Sequence, residues 1–174
     1  MKNFIQRMMR AARFDVQLYE EVEADTHATA QATSVVVMSS VAAGVGTLGH
    51  GGMSGVLAGT GFALIAWYIW ALMTYWIGTR LLPEPQTEAD VGQLLRTTGF
   101  SSAPGVVRVL GVVPGLTKVI FLIAGIWMLM TMVVAVRQAL DYTGTARALG
   151  VCAIGWGVQA GLLVLLFSLL GLAD

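Results

Sequence analysis

Between Lys118 and Arg137 run 18 residues without a charged side chain, VIFLIAGIWMLMTMVVAV. Wound as an α-helix they measure ~27 Å, close to the hydrocarbon thickness of a bilayer. Upstream, Pro114-Gly115 breaks the helical pattern, because proline lacks the N–H and crowds the preceding turn while glycine readily turns the chain. The stretch therefore predicts a spanning helix preceded by a separate short one. With 56% hydrophobic and 11% charged residues, a chain of 174 residues has too little polar side chain to cover a soluble globule. An all-α, polytopic transmembrane helix bundle is the expected fold.

Residues 1–25 come first. Phe4, Ile5, Met8, Met9 and Ala12 recur at helical spacing with Lys2, Arg7, Arg10 and Arg13 between them, which predicts an amphipathic helix lying in the interface. Those four cations are the candidate contacts to anionic lipid or to a partner. The acids Glu20, Glu21, Glu23 and Asp25 that follow are read as a solvated face. From Thr26 to Thr79 no acid, lysine or arginine occurs, so the segment holds two passes, about 27–49 and 55–79, turning at HGGMSG. Gly44-Val-Gly46-Thr-Leu-Gly49 matches G-x-G-x-x-G, but a dinucleotide site needs a preceding strand and an acid about 20 residues on. The next acid is Glu84, and the glycines read as helix packing instead.

After Pro83 and Pro85, Thr87-Glu-Ala-Asp90 is expected to open a short helix that Gly99 closes. Ser101 or Ser102 would then cap a short third pass, about 102–114, with Pro104 in its first turn. Its Arg108 is expected to snorkel toward the Arg96 side and meet a carboxylate or lipid phosphate, with the break at Pro114 buried in protein. The fourth pass covers about 118–138 and the fifth about 146–172, so that 26–174 forms one transmembrane domain. Arg137 and Asp141 are placed for an i,i+4 pair, Gly144 for a helix C-terminus, and Gln159 as a second intramembrane polar residue beside Arg108. Three small-residue patterns, Ser40 to Gly44, Gly55 to Gly59 and Gly157 to Gly161, predict close helix packing, within the chain or against another copy or a membrane-protein partner. Five passes with a cytoplasmic N-terminus would leave only Lys118 among the lysines and arginines outside, apart from Arg108 within the bilayer.

Several short motifs carry a resemblance: Tyr19-Glu20-Glu21-Val22-Glu23-Ala24-Asp25, Leu94-Leu95-Arg96 with Gly99-Phe100 and Ala103-Pro104, Ile126-Trp127, and Arg137-Gln138-Ala139-Leu140-Asp141-Tyr142. In this order they resemble the bacterial branch of the Yip (Ypt-interacting protein) family of five-pass membrane proteins. The resemblance implies a multi-pass protein, in the cytoplasmic (inner) membrane of a prokaryote, that organises membrane or recruits partners. Eukaryotic members are associated with Rab-type GTPases and vesicle traffic. This chain has no D-L-Y-G-P motif, the nearest match being Asp15-Val-Gln-Leu18-Tyr19, so GTPase binding is not carried over.

Chemistry is sparse. Cys152 stands alone in an apolar run, and neither a carboxylate pair at membrane depth nor a G-x-S-x-G or H-E-x-x-H motif occurs. Acids and bases balance at ten each, which gives nucleic acid no field to bind. The expectation is a non-catalytic membrane protein without cofactor or metal. An accessory subunit of a larger membrane complex is the alternative. A small-solute transporter is a weaker reading, since Arg108 and Gln159 alone offer little substrate path.

Overall fold

The least regular of the hydrophobic segments is the axis of the bundle. It begins as α5 (Val91–Ser101), passes through Ser102, and continues as a 3₁₀ helix over Ala103–Val112. Eleven residues at α-helical rise and ten at 3₁₀ rise give ~36 Å, so this axis gains its length from the stretched winding. It is also longer than the sequence implied. Gly99 does not close α5 but lies inside it, where a Cβ would stand 2.8 Å from the Ala32 Cβ and 3.1 Å from the Trp67 ring. The capping box falls three residues later than Thr87 would put it. Asp90 accepts from the Gln93 amide at 2.8 Å while Gln93 accepts from the Asp90 amide at 2.6 Å.

Around this axis stand α3 (Ala28–Gly46), α4 (Gly52–Trp76) with a π-helical turn at Ile77–Leu81, α6 (Thr117–Ala139) and α7 (Thr145–Leu169). The computed structural model describes residues 2–47 and 52–169, and all regular structure among them is helical. Gly49, His50, Gly51 and Asp174 lie outside the described residues, as does the Lys2 side chain. Three of the described helices are long and apolar enough to cross a membrane: α3, α4 with its π turn, and α6. The 3₁₀ segment packs chiefly on α3 and α6, α5 on α3, α6 and α4, and α7 on the outside against α6 and α4. Large apolar side chains such as Phe62, Leu122 and Leu162 face outward, as a lipid-solvated bundle requires.

Two shorter helices, α1 (Lys2–Ala12) and α2 (Val16–Ala24), form a hairpin on the flank of this bundle. Phe14 turns the corner with φ +62°, while the amides of Phe14 and Asp15 return to the Ala11 and Arg10 carbonyls. That is a Schellman closure with a non-glycine residue in the left-handed position. The end of α6 repeats it. Asp141 has φ +51°, and the amides of Asp141 and Tyr142 bond the Gln138 and Arg137 carbonyls. Asp141, rather than Gly144, thus ends α6, and this turn breaks the helical register that an Arg137–Asp141 pair would need. Arg137 donates instead to the carbonyls of Tyr142 at 3.3 Å and Thr143 at 3.1 Å.

Two further expectations change. Pro114 and Gly115 are exposed just beyond the 3₁₀ segment, where Gly115 turns with φ +83°, so the break is not buried in protein. Of the five packing glycines, only Gly44 meets a neighbouring helix, its added Cβ lying 2.8 Å from Val56. Gly55, Gly59, Gly157 and Gly161 have nothing within 4 Å of such an atom. The spacing puts them on one helix face but does not turn that face toward a neighbour.

Candidate functional site

Eight of the ten basic and nine of the ten acidic residues fall in the segments at one end, counting residues 1–25, the 80–96 stretch and the 137–147 turn, with Lys118 at the other end. At the charged end the cations are turned inward. Arg7 is buried, its guanidinium 2.6 Å from Glu21 Oε1 and 3.0 Å from Asp25 Oδ2, and it also donates to Gln31 at 3.1 Å. Arg10 bridges Asp15 at 2.7 Å and Glu21 at 2.8 Å. Glu21 and Asp25, which the sequence left as a solvated face, are therefore the counter-charges of α1, and Arg13 is the exposed arginine of the set. The arginine hydrogen bonds hold Asp15, Glu21 and Asp25 below the usual carboxylate range.

Arg96 joins this hairpin to the axis. It is buried inside α5 and donates from Nε to the carbonyls of Val22 at 3.0 Å and Glu23 at 3.1 Å, and from Nη2 to the Glu23 carbonyl. A cation there satisfies orphan carbonyls at the end of α2 and complements the negative end of its dipole. Three more long-range bonds complete the clamp. Trp127 Nε1 reaches the Ala12 carbonyl at 2.7 Å, Tyr142 Oη reaches the Leu82 carbonyl at 2.8 Å, and Thr131 Oγ1 reaches the Ser101 carbonyl at 2.7 Å. Arg147 pairs with Glu84 at 3.2 Å, and Glu84 accepts from the amide and hydroxyl of Thr143 at 3.0 Å.

Glu23 is the strained member of this end. Partial burial, and after it the negative charge of Asp141, pushes its carboxyl up from 4.5 to about 7, against the attraction of Arg96, while Glu20 and Asp90 add to the rise. The folded state thus binds this proton more tightly than the unfolded chain. Its contribution to stability is complete below pH 4.5 and is lost as pH rises through about 7. Thermal unfolding in detergent should show a melting temperature that falls across that window. Glu23→Gln should flatten the fall and raise the melting point at pH 8; an unchanged pH profile in the variant would assign the slope to another group.

The second cluster lies within the helices. Arg108 of the 3₁₀ segment does not snorkel toward Arg96. Its Nη2 donates to the Ser39 hydroxyl at 2.7 Å and the Ser39 carbonyl at 3.1 Å, its Nε bonds the Gly105 carbonyl at 3.1 Å, and its guanidinium carbon sits 5.9 Å from the Phe121 ring centroid. No carboxylate pairs with it among the described residues. Arg108 and Gln159 line one chamber of about 470 Å³ together with Ser39, Trp67, Trp70 and Trp156. Sequence reasoning found the two polar residues but not Trp70, whose ring stacks on Trp156 at 6.1 Å and whose Nε1, although buried, has no hydrogen-bond partner. An aromatic in a spanning helix gave no cue that its N–H would be left over.

No curated protein and no solved structure matches the chain. A family model described as the Yip1 domain matches residues 16–167. That range opens at the first residue of α2 and ends within α7, and it contains Tyr19, Arg96, Trp127 and Tyr142, the motif residues whose long-range hydrogen bonds tie the helices together. The chain is an integral membrane protein that belongs to the Yip family.

Proposed function

We propose that this protein is a non-catalytic, multi-pass membrane protein that shapes the bilayer from its cytoplasmic side, with five passes and the α1–α2 hairpin in the inner leaflet of a prokaryotic plasma membrane. One observation carries the reading. The hairpin's corner rests on α6 at Trp127, twelve residues before the end of that helix at Ala139, and no second hairpin lies against the opposite half among the described residues. The molecule is thereby wider in one leaflet than in the other, which favours a curved bilayer. The outer face of the hairpin suits the place, since Ile5, Met9 and Val16 are exposed apolar side chains. The charge distribution supports the orientation.

The full chain, reconstituted into large vesicles at rising protein-to-lipid ratio, should shrink or tubulate them in electron micrographs. Ile5→Ser with Met9→Ser should abolish the effect without unfolding the bundle, because both side chains face outward. Vesicles of unchanged diameter with wild-type protein would refute the reading, and a reporter fused near Thr87 that faces outward would reverse the orientation. The alternative reading, a subunit docked to a membrane-protein partner or a second copy, is favoured by the open faces at Gly55 to Gly59 and Gly157 to Gly161. It predicts a larger native-gel species that Gly59→Leu abolishes.

A further inference from the structure

The chamber within the helices holds a cation with no carboxylate beside it among the described residues. Arg108 carries a permanent charge at membrane depth, where an uncompensated cation is expensive. The protein meets only part of its needs: Nε and Nη2 are bonded, Nη1 makes no hydrogen bond among the described residues, and Nη1 is not among the buried atoms that lack one. It is therefore open to the space beside it. The Gln159 side chain also makes no hydrogen bond among the described residues. These two groups, brought together from the 3₁₀ segment and α7, supply N–H donors and a positive charge to one volume of about 470 Å³. That matches the size of a small-ligand site, and its chemistry fits an anion whose oxygens only accept.

The geometry also says from where such an anion comes. A narrow groove of about 170 Å³, lined by Phe62, Ile65, Ile69, Met73 and Leu162, runs along α4 and α7 and shares Ala66, Trp70 and Gln159 with the chamber. Its residues on α4 span eleven positions, ~16 Å, and the walls are apolar. Helices α4 and α7 both present lipid-facing side chains on either side of it. A polar chamber continuous with an apolar slot open to the bilayer is a complement to an amphiphile.

We propose that the chamber binds the anionic headgroup of a membrane lipid, held by Arg108 and Gln159, with one acyl chain in the α4–α7 groove. The proposal is independent of the hairpin's effect on bilayer shape. It is tested by native mass spectrometry of the full chain in detergent, titrated with phosphatidylglycerol, with phosphatidylcholine, and with inorganic phosphate. One phosphatidylglycerol should be retained where phosphatidylcholine is lost, and inorganic phosphate should not displace it at equal concentration. Gln159→Leu keeps the side-chain volume and removes an amide that bonds nothing among the described residues, so the variant should melt like wild type yet bind the lipid about tenfold more weakly. Arg108→Gln should lose the bound lipid. Equal retention of the zwitterionic lipid, or wild-type affinity in Gln159→Leu, would overturn the proposal. Displacement by inorganic phosphate would make the chamber a free-anion site and overturn the lipid assignment.

Discussion

Replacing Arg96 by alanine is expected to free the α1–α2 hairpin from the bundle. The substitution deletes three hydrogen bonds to the carbonyls of Val22 and Glu23 and strips Glu23 of the one cation that opposes its neighbours Asp141, Glu20 and Asp90. A buried acceptor left unmet costs about 1–3 kcal/mol, so the loss should be roughly 3 kcal/mol in total. Because these bonds join only the end of α2 to α5, while α6 keeps its own contacts, the loss should be local. Hydrogen exchange is expected to rise over residues 2–24 while α6 stays protected. Lysine should rescue only in part, since an ammonium offers no planar fork to two carbonyls. If exchange rises evenly over all helices, Arg96 supports the whole bundle instead. Wild-type exchange throughout would remove the clamp from the account.

Gly46→Ala should be the most damaging single methyl addition in α3 and α4. A Cβ at Gly46 would overlap the carbonyl oxygen of Arg108 and stand 3.1 Å from the Phe121 ring. The obstacle is backbone, so it cannot be relieved by a rotamer change, and α3 must part from the 3₁₀ segment along their most extensive contact. Overpacking of this kind costs about 1–3 kcal/mol, and here the upper end applies. Gly55→Ala and Gly59→Ala are the controls, because open space surrounds each; detergent melting curves should place both within a degree or two of wild type. A melting point for Gly46→Ala equal to theirs would mean that α3 and the third pass are not in close contact.

These two residues also mark what a sequence discloses. The spans were legible because the gaps between charges are local and a helix's rise converts them to length: α6 occupies 117–139 where the uncharged run predicts 118–138. Pro104 in the first turn and the helix-breaking Pro114-Gly115 were legible for the same reason, as properties of one or two residues. The charged end was readable only as composition. That Arg7 would reach Glu21, Asp25 and Gln31 depends on the hairpin corner at Phe14, a left-handed turn that neither glycine nor asparagine announces. Arg96 and Arg108 find their main partners some seventy positions away, and the arrangement of the passes determines those partners. Small-residue spacing leaves the partner open because it is a statement about one helix. Gly46 and Gly105 make the tight approaches, and the regularly spaced Gly157 and Gly161 do not.

The 3₁₀ winding of the third pass fixes more than its length. At 3.0 residues per turn each step rotates the chain by ~120°, against ~100° in an α-helix. From Ser102 to Arg108 six steps accumulate ~120° of difference, a third of a revolution. Arg108 therefore faces Ser39 only because the segment is wound tightly. Wound as an α-helix, the segment would carry the same arginine to another azimuth, and the compass bearing of Arg108 is set by helix type rather than by its place in the sequence.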